Sequence, residues 1–246
     1  MRKLRGKLLL GVVLIILSSA IYVLQIAIFH DERDTFFYLV QDLAFVPIQV
    51  LLVTVIVDQI LKIREKLAMM NKLNMVIGTF FSEVGCRLLQ SFSRFDVEFE
   101  EFRKELIISR DWSDQKFRQT AREISSFNHR LDHARGDLNE LKAFLVSKRD
   151  FMLRLLENQN LLEHETFTDL LWAVFHLTEE LEAREDLAQL PVTDGEHIAS
   201  DIRRAYVLLI SEWLAYMKHL KNEYPYLFSL AMRTNPFDAN ASVTVR

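Results

Sequence analysis

A few side chains have types and spacings that chemistry could use. His129 and His133 stand four residues apart, as do His176 and Glu180, and that spacing puts two potential metal ligands on one helix face. Asp42 lies inside the apolar run "FYLVQDLAFVPIQVLLVTVIVDQI", with Gln41, Pro47 and Gln49 near it and Gln25 in an earlier apolar run. A carboxylate in such a run serves either as polar glue between helices or on an ion or proton path. Cys86 is the only cysteine, so neither an intrachain disulfide nor a CxxC metal site is available.

Both histidine pairs point the wrong way for a site inside a helical bundle. Over a helix at 113–134, Phe117, Ala121, Ile124 and Leu131 define the core side, and His129 and His133 face nearly opposite. Over 166–187, Phe167, Leu170, Leu171, Val174 and Leu181 place His176 and Glu180 away from the core. His164 reads as a helix-start residue. The sequence therefore predicts no metal site and no cofactor. Six glycines scattered along the chain build no GxxxxGK[ST] loop, no GxGxxG and no GxSxG elbow, and an enzyme is not expected. Burial in an apolar stripe predicts an inert thiol at Cys86. Trp172 lies off the main stripe of its helix, a position suited to another helix or a partner.

The elements that carry these residues follow from a sharp segregation. Half of the 246 residues are hydrophobic and a quarter are charged, yet residues 8 to 61 are almost uninterruptedly apolar. The formal net charge of −4 argues against a nucleic-acid partner. Leu8 to Phe29 is 22 residues without a charge, about 33 Å of helix and enough for a bilayer core. A signal peptide is the alternative, since "MRKLRGK" is a basic n-region, but the apolar run continues through Ala20 into "IYVLQIAIF". Phe36 to Val57 makes a second 22-residue span. The loop "HDERDT" is acidic, whereas Arg2, Lys3, Arg5 and Lys7 precede the first span and Lys62, Arg64, Lys66 and Lys72 follow the second. That bias predicts a plasma (inner) membrane hairpin with both termini cytoplasmic. The same basic run could also touch anionic lipid. In the hairpin Gln25 lies level with Gln41, Ser18 with Pro47 and Lys7 with Asp58, and Asp42 is within reach of Gln25 or the outer headgroups. Pro47 frees a backbone carbonyl near residue 43.

No breaker separates the second span from a connecting helix over 61–95. Its apolar positions, among them Ile77, Phe81, Val84 and Leu88, advance by threes and fours, and Gly78 and Gly85 leave a small-residue notch seven apart. The stripe fits packing on later helices of the same chain, or a coiled-coil-like association seam between chains. Residues 96–237 then read as a cytoplasmic helical bundle, with helices near 97–109, 113–134, 138–158, 166–187, 195–222 and 224–233 and a polar tail at 238–246. Caps are expected at Asp137, Thr166 and Thr193. The 195–222 helix is apolar over a broad arc and should be central. The expected fold is all-α. The expected function is a membrane-anchored, non-enzymatic interaction, scaffold or regulatory module with an unidentified cytoplasmic protein partner. The alternative is a homo-oligomeric channel or transporter component built on Asp42 and its polar neighbours.

Overall fold

A computed structural model of the chain describes residues 2–29, 32–127, 129–158 and 160–244. The side chains of residues 2–11, 29, 32, 71 and 162 lie outside the described part, and with them the expected level of Lys7 with Asp58. Of the loop expected over 30–35, residues 30 and 31 lie outside it as well, and residues 32–35 are helical, part of the helix that begins at Glu32. The fold is all-helical, and among the described residues the one β-type pairing is an isolated bridge between Asp96 and Leu131. The chain divides into two units, residues 1–66 and 67–246.

The first unit holds helix α1 (Arg2–Phe29) and most of helix α2 (Glu32–Phe80). Over residues 12–28 and 36–57 these helices show no apolar stripe because they are apolar almost all round, a pattern of buried or membrane-spanning helices. The helical stretch Arg33–Ser93 is long and apolar enough to cross a membrane by length and composition, and Val12–Ile28 is a shorter apolar helix. Pro47 lies inside α2. Ser19 and Thr54 turn their hydroxyls back onto the carbonyls of Ile15 (2.9 Å) and Val50 (2.7 Å), so neither hydroxyl depends on solvent.

The second unit is built around α9 (Val192–Glu223), which buries Ile202, Tyr206, Leu209, Trp213 and Met217 along one side. Around it stand α3 (Cys86–Ser93), α5 (Asp114–Ser126), α8 (Glu165–Glu182) and α10 (Pro225–Arg233). The smaller helices α4 (Phe99–Arg103), α6 (Leu138–Ser147) and α7 (Arg149–Leu156) complete the unit. Between α2 and α3 the helix loosens into a π turn, Phe81–Gly85. A π turn inserts an extra residue into the helix, and here two successive rings turn inward. Phe80 meets Phe167 edge-on at 5.2 Å and Phe81 stacks on Tyr216 at 5.2 Å.

Asp137 caps α6 by accepting from the Glu140 amide, as its spacing predicts. Two other starts differ. His164, not Thr166, accepts from the Phe167 amide at the head of α8, and α9 begins at Val192 directly behind Pro191. The expected helix over 113–134 stops at Ser126. Beyond it, Asp132 donates to the Phe95 carbonyl at 2.9 Å and the Val97 amide to the Arg130 carbonyl at 3.0 Å. These bonds between distant segments of the chain replace the intrahelical ones that the sequence periodicity suggests.

Candidate functional site

In the first unit the polar group that reaches Asp42 is the Tyr22 hydroxyl, which donates to Oδ2 across 3.5 Å. Tyr22 lies one turn from Gln25, which is half-buried, while Gln41, Pro47 and Gln49 are exposed among apolar neighbours. Leu43 is 69% and Leu51 65% exposed, and so are most large apolar side chains from Phe36 to Leu67. Asp58 pairs with Lys62 of its own helix at 2.8 Å.

The expected association seam is occupied within the chain. Ile77, Phe81, Val84 and Leu88 are all buried in the second unit. Gly78 faces the Tyr216 ring, where an added Cβ would stand 3.1 Å from the hydroxyl oxygen. Gly85 faces Phe81 and Phe80. Of the two packings the stripe fits, these contacts are those of the one within the chain, with α9 as the partner element. Cys86, packed beside it, has its thiol pushed up to about 11 by burial.

His129 also differs from its expected outward position. With α5 ended at Ser126, the backbone carries the imidazole inside, where Nδ1 lies 3.0 Å from Asp96 Oδ2 and both side chains are fully buried. Phe102, Phe127 and Tyr206 surround the ring at centroid distances of 4.8, 4.9 and 5.6 Å. A carboxylate that fixes one imidazole nitrogen leaves the other free to act as a base. Here His129 Nε2 is sealed from solvent with no hydrogen-bond partner, as is the Tyr206 hydroxyl, whose ionisation is opposed by burial and by the Asp96 charge. The pair is a core network. Outside it lies a polar cleft of about 480 Å³ with His133, Glu196 and Arg203 on its walls.

The strongest concentration of chemistry-bearing groups lies between α8 and α9. His176 and Glu180, one turn apart on α8, face His197 and Asp201, one turn apart on α9. His176 Nε2 is 3.6 Å from Asp201 Oδ2 and 3.9 Å from Glu180 Oε1. His197 Nε2 is 3.4 Å from Asp201 Oδ2 and 3.6 Å from Glu180 Oε2. The residue numbers of the two cross-helix pairs, 176 with 201 and 180 with 197, have the same sum, as an antiparallel register requires. Arg184 holds Glu180 at 2.7 Å and Asp194 at 2.6 and 2.9 Å, and its hydrogen bond keeps the Glu180 carboxyl below the usual carboxylate range. Arg204 lies 3.4 Å from Asp201 Oδ1. Asp201 Oδ2 accepts no hydrogen bond although its side chain is only 2% exposed. Leaving such a group unsatisfied costs about 1–3 kcal/mol, more when it is charged.

The wheel of α8 alone placed His176 and Glu180 away from the core, and they do lie off its main stripe. They face α9 instead of open solvent. The signal that could have found the arrangement is the second i, i+4 pair, His197 and Asp201, which sequence reasoning did not connect to the first. Trp172, one turn before His176, is 55% exposed and borders a cleft of about 460 Å³ with Arg204 and Leu208.

Comparison with known proteins places two adjoining matches on the chain. The family model for the N-terminal helical domain of MJ1433 matches residues 2–61, and that for the C-terminal helical domain of the uncharacterized protein MJ1433 matches residues 69–233. The gap between them brackets the boundary of the two structural units at residues 66 and 67. Uncharacterized protein MJ1433 of Methanocaldococcus jannaschii is 45% identical over 241 residues, covering 98% of this chain and 96% of the relative. No solved structure matches.

Proposed function

The chain belongs to the MJ1433 family, and we propose that it is a membrane-anchored, non-enzymatic interaction module. In this reading α1 and the first part of α2 form a two-span hairpin, and residues 67–246 form a helical unit in the cytoplasm that carries the partner surface. One observation carries the reading. The apolar side chains of α2 from Phe36 to Leu67 are exposed all round, whereas the second unit has a complete core of its own. A continuous apolar surface of this size is out of place in water and suited to lipid. The excess of Lys and Arg at both ends of the apolar region supports cytoplasmic termini. On the second unit, the exposed Trp172 beside its cleft is the side chain best suited to anchor a protein partner.

The test is a pair of reporters. One fused after Arg246 should be active only in a format that reads the cytoplasm, and one inserted at Glu32 only in a format that reads the exported side. An exported C-terminus would overturn the hairpin. The channel reading rests on a different observation, the Asp42–Tyr22 contact inside the apolar stretch. Two helices enclose no pore, so that reading requires a homo-oligomer. A strict monomer by mass measurement in detergent would remove it.

A further inference from the structure

The α8–α9 quartet has the residue types of a zinc site, two histidines and two carboxylates brought together by two helices. Two imidazole Nε2 atoms and two carboxylates meet: Asp201 Oδ2 lies 3.4 Å from His197 and 3.6 Å from His176, while Glu180 presents Oε2 to His197 at 3.6 Å and Oε1 to His176 at 3.9 Å. Zinc bonds of about 2.0–2.2 Å to nitrogen and oxygen set neighbouring tetrahedral ligands roughly 3.4 Å apart. As it stands the quartet is slightly too wide: among the described residues no three such groups are already closed into a metal-holding arrangement. The Asp201 Oδ2 distances are within a few tenths of an ångström of that spacing, and the Glu180 carboxyl has to turn one oxygen toward both imidazoles. His176 and His197 are 45% and 52% exposed, so their rings are free to adjust and an ion can enter.

A second observation points into the same space. Asp201 Oδ2 is buried without a hydrogen bond, and it lies closer to each imidazole Nε2 than the Glu180 carboxylate does. Arg204 lies against the other oxygen, Oδ1, and leaves Oδ2 uncommitted. On the opposite side, Arg184 has a two-point contact with Asp194 and so need not keep Glu180. We infer that His176, Glu180, His197 and Asp201 bind one zinc ion that clamps α8 to α9. Four protein ligands leave no open position, which makes the site structural and not catalytic. It is consistent with a non-enzymatic module but does not depend on the membrane reading.

The full chain, purified in detergent without a polyhistidine tag and stripped with a chelator, should bind one Zn²⁺ per chain and melt at a higher temperature with it. Co²⁺ in its place should give the intense visible bands of a tetrahedral site. Both responses should be lost in Asp201→Asn and in His176→Ala/His197→Ala, and kept in His133→Ala. Binding that is unchanged in those variants, or that never approaches one ion per chain, would overturn the inference. Should the variants fail to fold, the wild-type chain still decides. Zn²⁺ should shield His176 and His197, and not His133, from diethyl pyrocarbonate, and equal modification with and without Zn²⁺ would overturn the site.

Discussion

The Tyr22 hydroxyl stands 3.5 Å from Asp42 Oδ2 and links α1 to α2 through residues twenty apart in the sequence. The distance is long for an O–H···O bond, whose usual range ends near 3.0 Å, so this is a weak tie. Under the proposed membrane reading, the relevant scale is that of intramembrane side-chain hydrogen bonds, which average about 0.6 kcal/mol in double-mutant cycles. Tyr22→Phe and Asp42→Leu should therefore each destabilise the detergent-solubilised protein mildly and non-additively, and Asp42→Asn should be nearly silent. Thermal melts of the three variants and of the Tyr22→Phe/Asp42→Leu double variant check this. An ion flux through reconstituted protein that vanishes in Asp42→Asn would instead promote the channel reading.

Asp96 and His129 make the opposite kind of contact, short and fully buried. Removing one member of a buried hydrogen-bonded pair strands the other, at a cost of about 1–3 kcal/mol and more for a charged group. Asp96→Ala should lower the denaturation midpoint steeply, whereas Tyr206→Phe, which deletes an unpartnered hydroxyl, should be neutral or stabilising. Equal losses in the two variants would contradict the assignment.

The two glycines of the 61–95 stripe should behave differently. A Cβ at Gly85 would sit 2.5 Å from a ring carbon of Phe81, itself held under Tyr216, while one at Gly78 would meet Tyr216 at no less than 3.1 Å. Gly85→Ala should cost about 1–3 kcal/mol of overpacking, and Gly78→Ala less. Chemical denaturation of both variants gives the comparison.

What the sequence made legible follows from where each instruction resides. The α9 and α10 helices are close to their expected bounds because an apolar arc and Pro225 are local signals. The sequence overextends the helix over 113–134 because Leu131 continues the periodicity with no glycine or proline before Gly136, while the break is made by pairing with Phe95 and Val97. For the same reason His129 was placed outside when it is inside. The quartet was half visible: His176 and Glu180 have the spacing, but a wheel drawn on one helix does not show that a second helix brings His197 and Asp201 to the same point.

The C-terminal segment should prove part of the core. Phe237 is buried against Trp213 at 5.1 Å, Phe228 is buried on α10, and Asn235 Nδ2 donates to the Leu106 carbonyl at 2.8 Å while its Oδ1 accepts from the Phe237 amide. Asn235→Ala leaves a buried carbonyl and a buried amide unpaired, at about 1–3 kcal/mol for each group. Removing residues 224–246 should go further and yield an aggregating product. A truncated chain that melts as cooperatively and as high as the parent would show the docking to be dispensable.

Cys86 supplies a prediction with a defined pH window. Burial raises its thiol from 9.0 to about 11, so near pH 8 the reactive thiolate should be about a hundredfold scarcer in the folded chain than in the unfolded one. Alkylation by iodoacetamide should accordingly be slow in the native protein and fast in denaturant. The sign of the linkage follows from the direction of the shift. Below pH 9 the thiol is protonated in both states and its contribution is constant. As pH rises from 9 to about 11 the unfolded thiol ionises first, and that contribution to stability is lost. A Cys86→Ala variant, although lacking the packed sulfur, should lose less stability than the parent across that interval. Identical pH profiles for the two proteins, or native alkylation as fast as in denaturant, would place the thiol in contact with water instead of behind the α2–α3 stripe.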